Sequence, residues 1–213
     1  CLDGVEYSYG EFSEKVVSLM RRMCLVESVR ARRCLVLINR GIELLIALVA
    51  TVLSGGIYVP LHPQDPNDRI AWMISDTESV CVLTTSSLSQ KIFQAFTMTS
   101  NKPSCLCVDE IISSSTASNR LLLSSLMPVD AKNDDLLMIL YTSGSTGKPK
   151  GVQITHKNWA NTFQAYLECG EMRFQMKMIQ TVTCTFDNHV FECLGPLSCS
   201  GSVIMLHSDG HLD

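Results

Sequence analysis

The residues of this chain best equipped for chemistry lie in Thr142-Ser143-Gly144-Ser145-Thr146-Gly147-Lys148-Pro149-Lys150-Gly151. Its three glycines permit close backbone approach and positive φ, so successive N–H groups can point into one anion-binding concavity. Four hydroxyls and two lysines add donors and charge. A solvated turn between strands is the plain structural alternative, but apolar strand-like flanks and the density of donors favour an anion site. The stretch is not the ordinary P-loop of NTPases, which needs four residues between its first Gly and the Gly-Lys-Ser/Thr. Gly144 and Gly147 are separated by two residues, and Pro149 follows Lys148 where a magnesium-binding hydroxyl would be required. The segment also leads into strand-like Val152-Gln153-Ile154-Thr155 rather than a helix. A P-loop kinase or GTPase is thereby rejected.

Asp187 is the second candidate. It follows the strand-like Thr181 to Phe186 and opens the apolar spacing Val190, Phe191, Leu194. Its bland role is a helix N-cap, worth about 1 kcal/mol. Phe191 lies four residues further on, about one helical turn, so both residues can face one cavity. Plain core packing is an equal role for Phe191.

The elements that must position these residues alternate between helical and strand periods, which predicts an α/β fold with largely parallel sheets flanked by helices. Ser8-Tyr9-Gly10-Glu11 fits a capping box, and Phe12, Val16, Leu19, Met20 and Met23 recur behind it at helical spacing. Cys34 to Ile38 reads as a buried strand. Glu43 to Leu53 reads as a helix apolar nearly all round, sandwiched inside the protein and stopped by Gly55-Gly56. Strands follow at 57–61, 80–83, 104–108, 136–141, 152–155, 178–182 and 203–206, with helices at 67–75, 88–96, 157–167 and 188–197. Between Ser113 and Ser125 the Ser-rich sequence predicts an exposed, mobile loop.

Composition narrows the classes. The 213 residues, 46% of them hydrophobic, suffice for a sizeable core. A net charge of −4 and a pI near 5.7, without a basic stretch, argue against nucleic acid as a partner. The greasiest run, Leu44 to Leu53, is about half of what a membrane-spanning helix needs. The amino terminus lacks a secretory signal and an initiator Met, and is expected to be cut from something longer. The ten cysteines are scattered through apolar segments, as at Cys34, Cys81, Cys105, Cys107, Cys184 and Cys193, and are expected to be reduced thiols in a cytoplasmic protein. With no C-x-x-C pair, no metal site is expected.

Tyr141 to Val152, Y-T-S-G-S-T-G-K-P-K-G-V, resembles the phosphate-binding signature of the adenylate-forming (AMP-binding) enzymes nearly letter for letter. That family includes acyl-CoA synthetases, luciferases and the adenylation domains of nonribosomal peptide synthetases. Two more segments resemble core motifs of the peptide synthetase branch in order and spacing. One is Gly55 to Pro63 with Pro66 and Arg69-Ile70; the other is Phe186-Asp187 with Val190, Glu192, Gly195, Leu197 and Gly201.

The resemblance implies ATP-dependent activation of an amino acid as its adenylate, followed by transfer to the phosphopantetheine thiol of a carrier protein. It implies that Thr142, Ser143, Gly144, Ser145, Thr146 and Gly147 wrap the ATP phosphates. Lys150, matching the lysine that ends the signature, supplies the catalytic charge, with a solvated surface lysine as its bland role. Asp187 would meet the substrate α-ammonium, and Asn188 and Phe191 would line the side-chain pocket. His156 and His189 are not assigned as bases, because a carboxylate already ionised at neutral pH needs none.

The resemblance covers the whole chain and less than half of the family's domain. An incomplete amino-terminal subdomain is therefore expected at residues 1–213, without the carboxy-terminal lid and without the acidic Mg2+ ligand, and inactive alone. The competing expectations are a non-catalytic nucleotide-binding remnant and part of an acyl-CoA or aryl-acid ligase.

Overall fold

In the computed structural model, which describes residues 5–26, 28–114, 130–142 and 149–206, the apolar run at Cys34 is a strand buried on both faces. Strand β1 (Arg33–Leu37) sends Cys34 and Val36 into one hydrophobic cluster and Leu35 and Leu37 into another. A two-residue side-chain period with both faces covered requires such a continuous apolar run, and β2 (Ile57–Pro60) and β3 (Cys81–Thr84) repeat it. With β4 (Ser104–Cys107), β5 (Leu136–Thr142) and β6 (Lys150–Thr155) they form a six-stranded sheet of order β4-β3-β1-β2-β5-β6. All neighbours are parallel except β5 and β6, which run antiparallel.

Helices cover both faces. On one lie α1 (Tyr9–Val26), α2 (Ile42–Leu53) and the short α5 (Val108–Ser113); on the other lie α3 (Asn67–Thr77) and α4 (Ser86–Phe96). The capping box at α1 forms as expected, with the Ser8 N–H donating to Glu11 at 2.8 Å and the Glu11 N–H donating to Ser8 Oγ at 3.3 Å. Helix α2 packs on α1 and on strands β1 and β2, which explains why it is apolar nearly all round. It ends where Gly55 adopts φ +70°, a conformation glycine reaches without strain.

The rest of the chain is a smaller unit. Helix α6 (His156–Glu168) starts on a reciprocal cap in which the Asn158 N–H donates to Thr155 Oγ1 at 3.1 Å and the Thr155 N–H donates to Asn158 Oδ1 at 3.0 Å. Strands β7 (Lys177–Gln180) and β8 (Ser202–Met205) pair in parallel and are connected by α7 (Asp187–Ser198).

Two expectations change. Val108 opens α5 instead of ending a strand, because Val108 and Ile112, four residues apart, are buried together on one helical face. Asp109 ties that helix to the next layer by accepting the Ser86 N–H at 3.0 and 3.1 Å. Ser113 thus closes a helix, and positions 115–125 of the expected mobile loop lie outside the described residues. The strand expected to run to Val182 stops at Gln180, since the N–H groups of Thr181 and Val182 bond to Glu192 rather than to a neighbouring strand.

Candidate functional site

The donor-rich segment lies between β5 and β6, which pair antiparallel as the two arms of a β-hairpin. Thr142 is the last residue of β5 and pairs with Lys150, the first of β6, while Tyr141 pairs with Gly151. Thr142 Oγ1 donates to the Lys150 carbonyl at 3.5 Å, and both side chains are exposed. Ser143, Gly144, Ser145, Thr146 and Gly147, expected to wrap phosphates, lie outside the described residues. The hairpin mouth sits at the carboxyl end of a parallel strand, the edge beyond which open α/β sheets bind ligands.

Tyr141 anchors the hairpin base. Its hydroxyl donates to Asp76 at 2.5 Å, and its ring meets Trp72 edge-on with centroids 5.6 Å apart. Burial, and secondly the bond to Asp76, raise this phenol above its usual range, so it remains a donor. Gly151 has a steric reason here. A Cβ at that position would come within 3.0 Å of Ile139 Cγ2 and 3.3 Å of the Tyr141 ring.

Asp187, Asn188 and Phe191 all lie on α7. Asp187 is not the N-cap: Phe186, extended at φ −106° and ψ 148°, occupies that position, and Asp187 is the first helical residue. A carboxylate already inside the helix sits where the macrodipole favours negative charge, and Asp187 Oδ1 accepts the adjacent Asn188 N–H at 2.9 Å. Asp187 and Asn188 are exposed, and among the described residues no cation pairs with Asp187. Phe191 is half-buried in an aromatic group from α6, with centroids 5.7 Å from Trp159 and 5.3 Å from Tyr166.

The two parts share a core, since Met138 and Leu140 of β5 lie in one cluster with Val190 and Cys193 of α7. Beneath the first turn of α7 is a polar network that sequence reasoning missed. Glu192 accepts the N–H groups of Thr181 and Val182 at 2.8 and 2.9 Å, the Thr181 hydroxyl at 2.7 Å and the Gln180 amide at 3.2 Å. The Arg40 guanidinium, in the connection between β1 and α2, donates to the Thr181 carbonyl at 2.6 Å. Only the acidic residue in the motif beginning at Phe186 signalled any of this. His189 is fully buried, and burial lowers its pKa to about 4, which leaves a neutral imidazole. His156 is also shifted down by burial.

Nine described cysteines are free thiols. Among the described residues no three His, Cys, Asp or Glu side chains cluster as metal ligands, and no helix is long and apolar enough to cross a membrane.

The model of the AMP-binding enzyme family matches residues 1–213. The chain belongs to that family. It is 31% identical over 174 residues to tyrocidine synthase 3 of Brevibacillus parabrevis, covering 82% of this chain and 2% of that protein. Bacitracin synthase 3 of Bacillus licheniformis is 32% identical over 171 residues, covering 80% of this chain and 2% of that protein. The dimodular nonribosomal peptide synthase of Bacillus subtilis strain 168 is 31% identical over 207 residues, covering 95% and 8%. The chain therefore spans a small part of these relatives.

Among solved structures, the AMPPNP-bound form of the nonribosomal peptide synthetase FmoA3 matches with a TM-score of 0.77 at 20% identity, over 96% of this chain and 20% of that one. ATP-bound MatB from Rhodopseudomonas palustris matches with a TM-score of 0.79 at 20% identity, over 97% and 41%. The fold is that of part of an adenylate-forming enzyme.

Proposed function

We propose that a polypeptide carrying this chain activates an amino acid as its aminoacyl-adenylate for nonribosomal peptide synthesis. The observation that carries the amino-acid reading is Asp187, an exposed carboxylate without a cationic partner among the described residues, at the start of α7. In the reaction a carboxylate oxygen of the amino acid attacks the α-phosphorus of ATP. The new O–P bond forms as the bond to the pyrophosphate oxygen breaks, and pyrophosphate leaves with the electron pair. No proton moves, which suits a site whose nearby imidazole, His189, is buried and neutral.

The chain's residues bind and orient. The hydroxyls and N–H groups of Thr142, Ser143, Gly144, Ser145, Thr146 and Gly147 hold the phosphates, and the Lys150 ammonium offsets charge on the departing pyrophosphate. Asp187 meets the substrate α-ammonium. At about 4 Å and an effective dielectric near 20 the gross attraction is about 4 kcal/mol, enough after partial desolvation to prefer an amino acid over a plain acid. Asn188 and Phe191 present an amide and a ring to the substrate side chain. Mg2+ would accompany ATP, with its ligand outside the described residues. The adenylate would then pass to a phosphopantetheine thiol on a carrier protein, releasing AMP. Residues 1–213 would form the amino-terminal part of the adenylation domain.

The test is amino-acid-dependent ATP–pyrophosphate exchange by the full gene product, across a panel of amino acids and their des-amino analogues. Exchange with one or a few amino acids supports the reading. Exchange with plain acids only, with thioester formation on coenzyme A, would make it an acyl ligase. ATP binding without any exchange would make it a nucleotide-binding remnant.

A further inference from the structure

One buried imidazole joins two of the motif-bearing segments to the strand between them. His189, on the first turn of α7, places Nε2 3.5 Å from Tyr58 Oη of β2, with the two rings stacked at 24° and centroids 6.4 Å apart. Its Nδ1 lies 3.2 Å from Gln180 Nε2, at the end of β7. His189, Tyr58 and Gln180 are each at most 1% exposed. The Gln180 NH2 also faces the Val182 carbonyl and Glu192; where one of its two hydrogens is donated to Nδ1, the ring proton sits on Nε2 and is donated to the Tyr58 hydroxyl.

The bridge matters because α7 begins without a side-chain cap: Phe186 makes no capping bond, and its own ring is 62% exposed. What holds the first turn lies beneath it. Glu192 grips Thr181 and Val182, Arg40 grips the Thr181 carbonyl, and Cys184 Sγ donates to the Leu61 carbonyl at 3.4 Å. Of these anchors, His189 alone lies within the first turn, two residues from Asp187. An apolar residue of similar volume would fill the space and leave the Tyr58 hydroxyl without that partner.

We propose that His189 is a positioning residue for the substrate ammonium, bridging Tyr58 of β2 to Gln180 of β7 and so fixing Asp187 and Asn188 relative to the sheet edge that carries Thr142 and Lys150. The inference rests on the adenylation reading for its substrate, while the bridge stands on the geometry. Sites of this kind demand placement to within about 0.5 Å, which an uncapped helix start does not supply by itself.

The experiment compares His189→Phe, His189→Gln and Val190→Ala in the full gene product. Val190 is a fully buried neighbour with no part in the bridge, and serves as a control for lost stability. Pyrophosphate exchange gives KM for the amino acid and for ATP, and amide hydrogen exchange reports on residues 181–188. His189→Phe should raise the amino-acid KM tenfold or more with less than twofold change for ATP, and speed exchange at 181–188 about tenfold. His189→Gln, whose amide can again donate, should recover part of both losses; Val190→Ala should lower the melting temperature without either signature. Equal changes in both KM values, unaltered protection at 181–188, or the same pattern from Val190→Ala would overturn the inference. If the unaltered protein exchanges with no amino acid, the adenylation reading and the substrate role of His189 both fall. Amide exchange then decides the bridge alone, which fails if His189→Phe and Val190→Ala behave alike.

Discussion

Thr142 and Lys150 face each other across the mouth of the β5–β6 hairpin, where Thr142 Oγ1 donates to the Lys150 carbonyl at 3.5 Å. This contact uses the backbone of Lys150 and leaves its exposed ammonium available to the anion the hairpin would hold. Lys150→Ala should therefore spare the fold, with a stability change within about 0.5 kcal/mol as for other surface positions. It should cost about 2 to 4 kcal/mol of transition-state stabilisation if the ammonium acts as a preorganised charge on the leaving pyrophosphate. Pyrophosphate exchange kinetics at saturating amino acid check this, with Lys157→Ala as an exposed control. An unchanged rate for Lys150→Ala would return it to a solvated surface lysine.

Much of this arrangement was legible in the sequence, for identifiable reasons. Buried parallel strands such as β1 must be continuous apolar runs, and α2 between two layers must be apolar nearly all round, so both stand out. The strand-loop-strand character around Thr142 and Lys150 could be read from its flanks. Helix α5 could not, since its buried pair Val108 and Ile112 sits between an apolar strand and serines that read as loop. Asp187 looked like an N-cap because it precedes apolar residues, but the turn from Thr183 to Phe186 starts the helix one residue earlier. The Glu192 and His189 networks depend on where that turn brings Thr181 and Gln180. Such tertiary geometry leaves no periodic trace.

His189 makes stability depend on pH in a definite direction. Burial lowers its pKa to about 4 in the folded protein, against about 6.5 when exposed. Below about pH 6.5 the unfolded chain binds a proton that the native state does not, so stability falls as pH drops from there to about 4. The loss should be about 2 kcal/mol between pH 7 and pH 5. The groups facing the ring are Tyr58 on β2, Gln180 on β7 and Cys193 on α7, with Arg40 beyond adding to the downward shift. Urea unfolding at pH 7 and pH 5 should show this loss, and His189→Gln should remove most of the difference. A slope retained in the variant would assign it to other groups.

Glu192 should matter for stability more than its half-exposed position suggests. Its carboxylate accepts from two backbone N–H groups, one hydroxyl and one amide. In Glu192→Gln an amide NH2 replaces one oxygen and confronts those donors, leaving at least one unsatisfied at a cost of about 1 to 3 kcal/mol. The urea midpoint should fall with the denaturant slope unchanged. A shift below about 0.5 kcal/mol would mean that water replaces the carboxylate freely.

Asp187→Asn separates structural from functional roles most sharply. Because Phe186 holds the N-cap position, Asp187 contributes no capping bond, only a charge near the helix N-terminus and an acceptor for the Asn188 N–H at 2.9 Å. Asparagine keeps an oxygen acceptor and loses the charge, so stability should fall by about 0.3 to 1 kcal/mol, the worth of an exposed charge at a helix end. If the carboxylate meets an α-ammonium, kcat/KM for the amino acid should fall tenfold or more, about 1.4 kcal/mol, while a des-amino analogue loses nothing or gains. The thermal midpoint and the two specificity constants, measured in the full gene product, decide between the roles. Equal losses for amino acid and analogue would show that Asp187 shapes the site without recognising the ammonium, and would favour a ligase for plain acids. A large fall in the midpoint with unchanged kinetics would leave Asp187 to the helix alone.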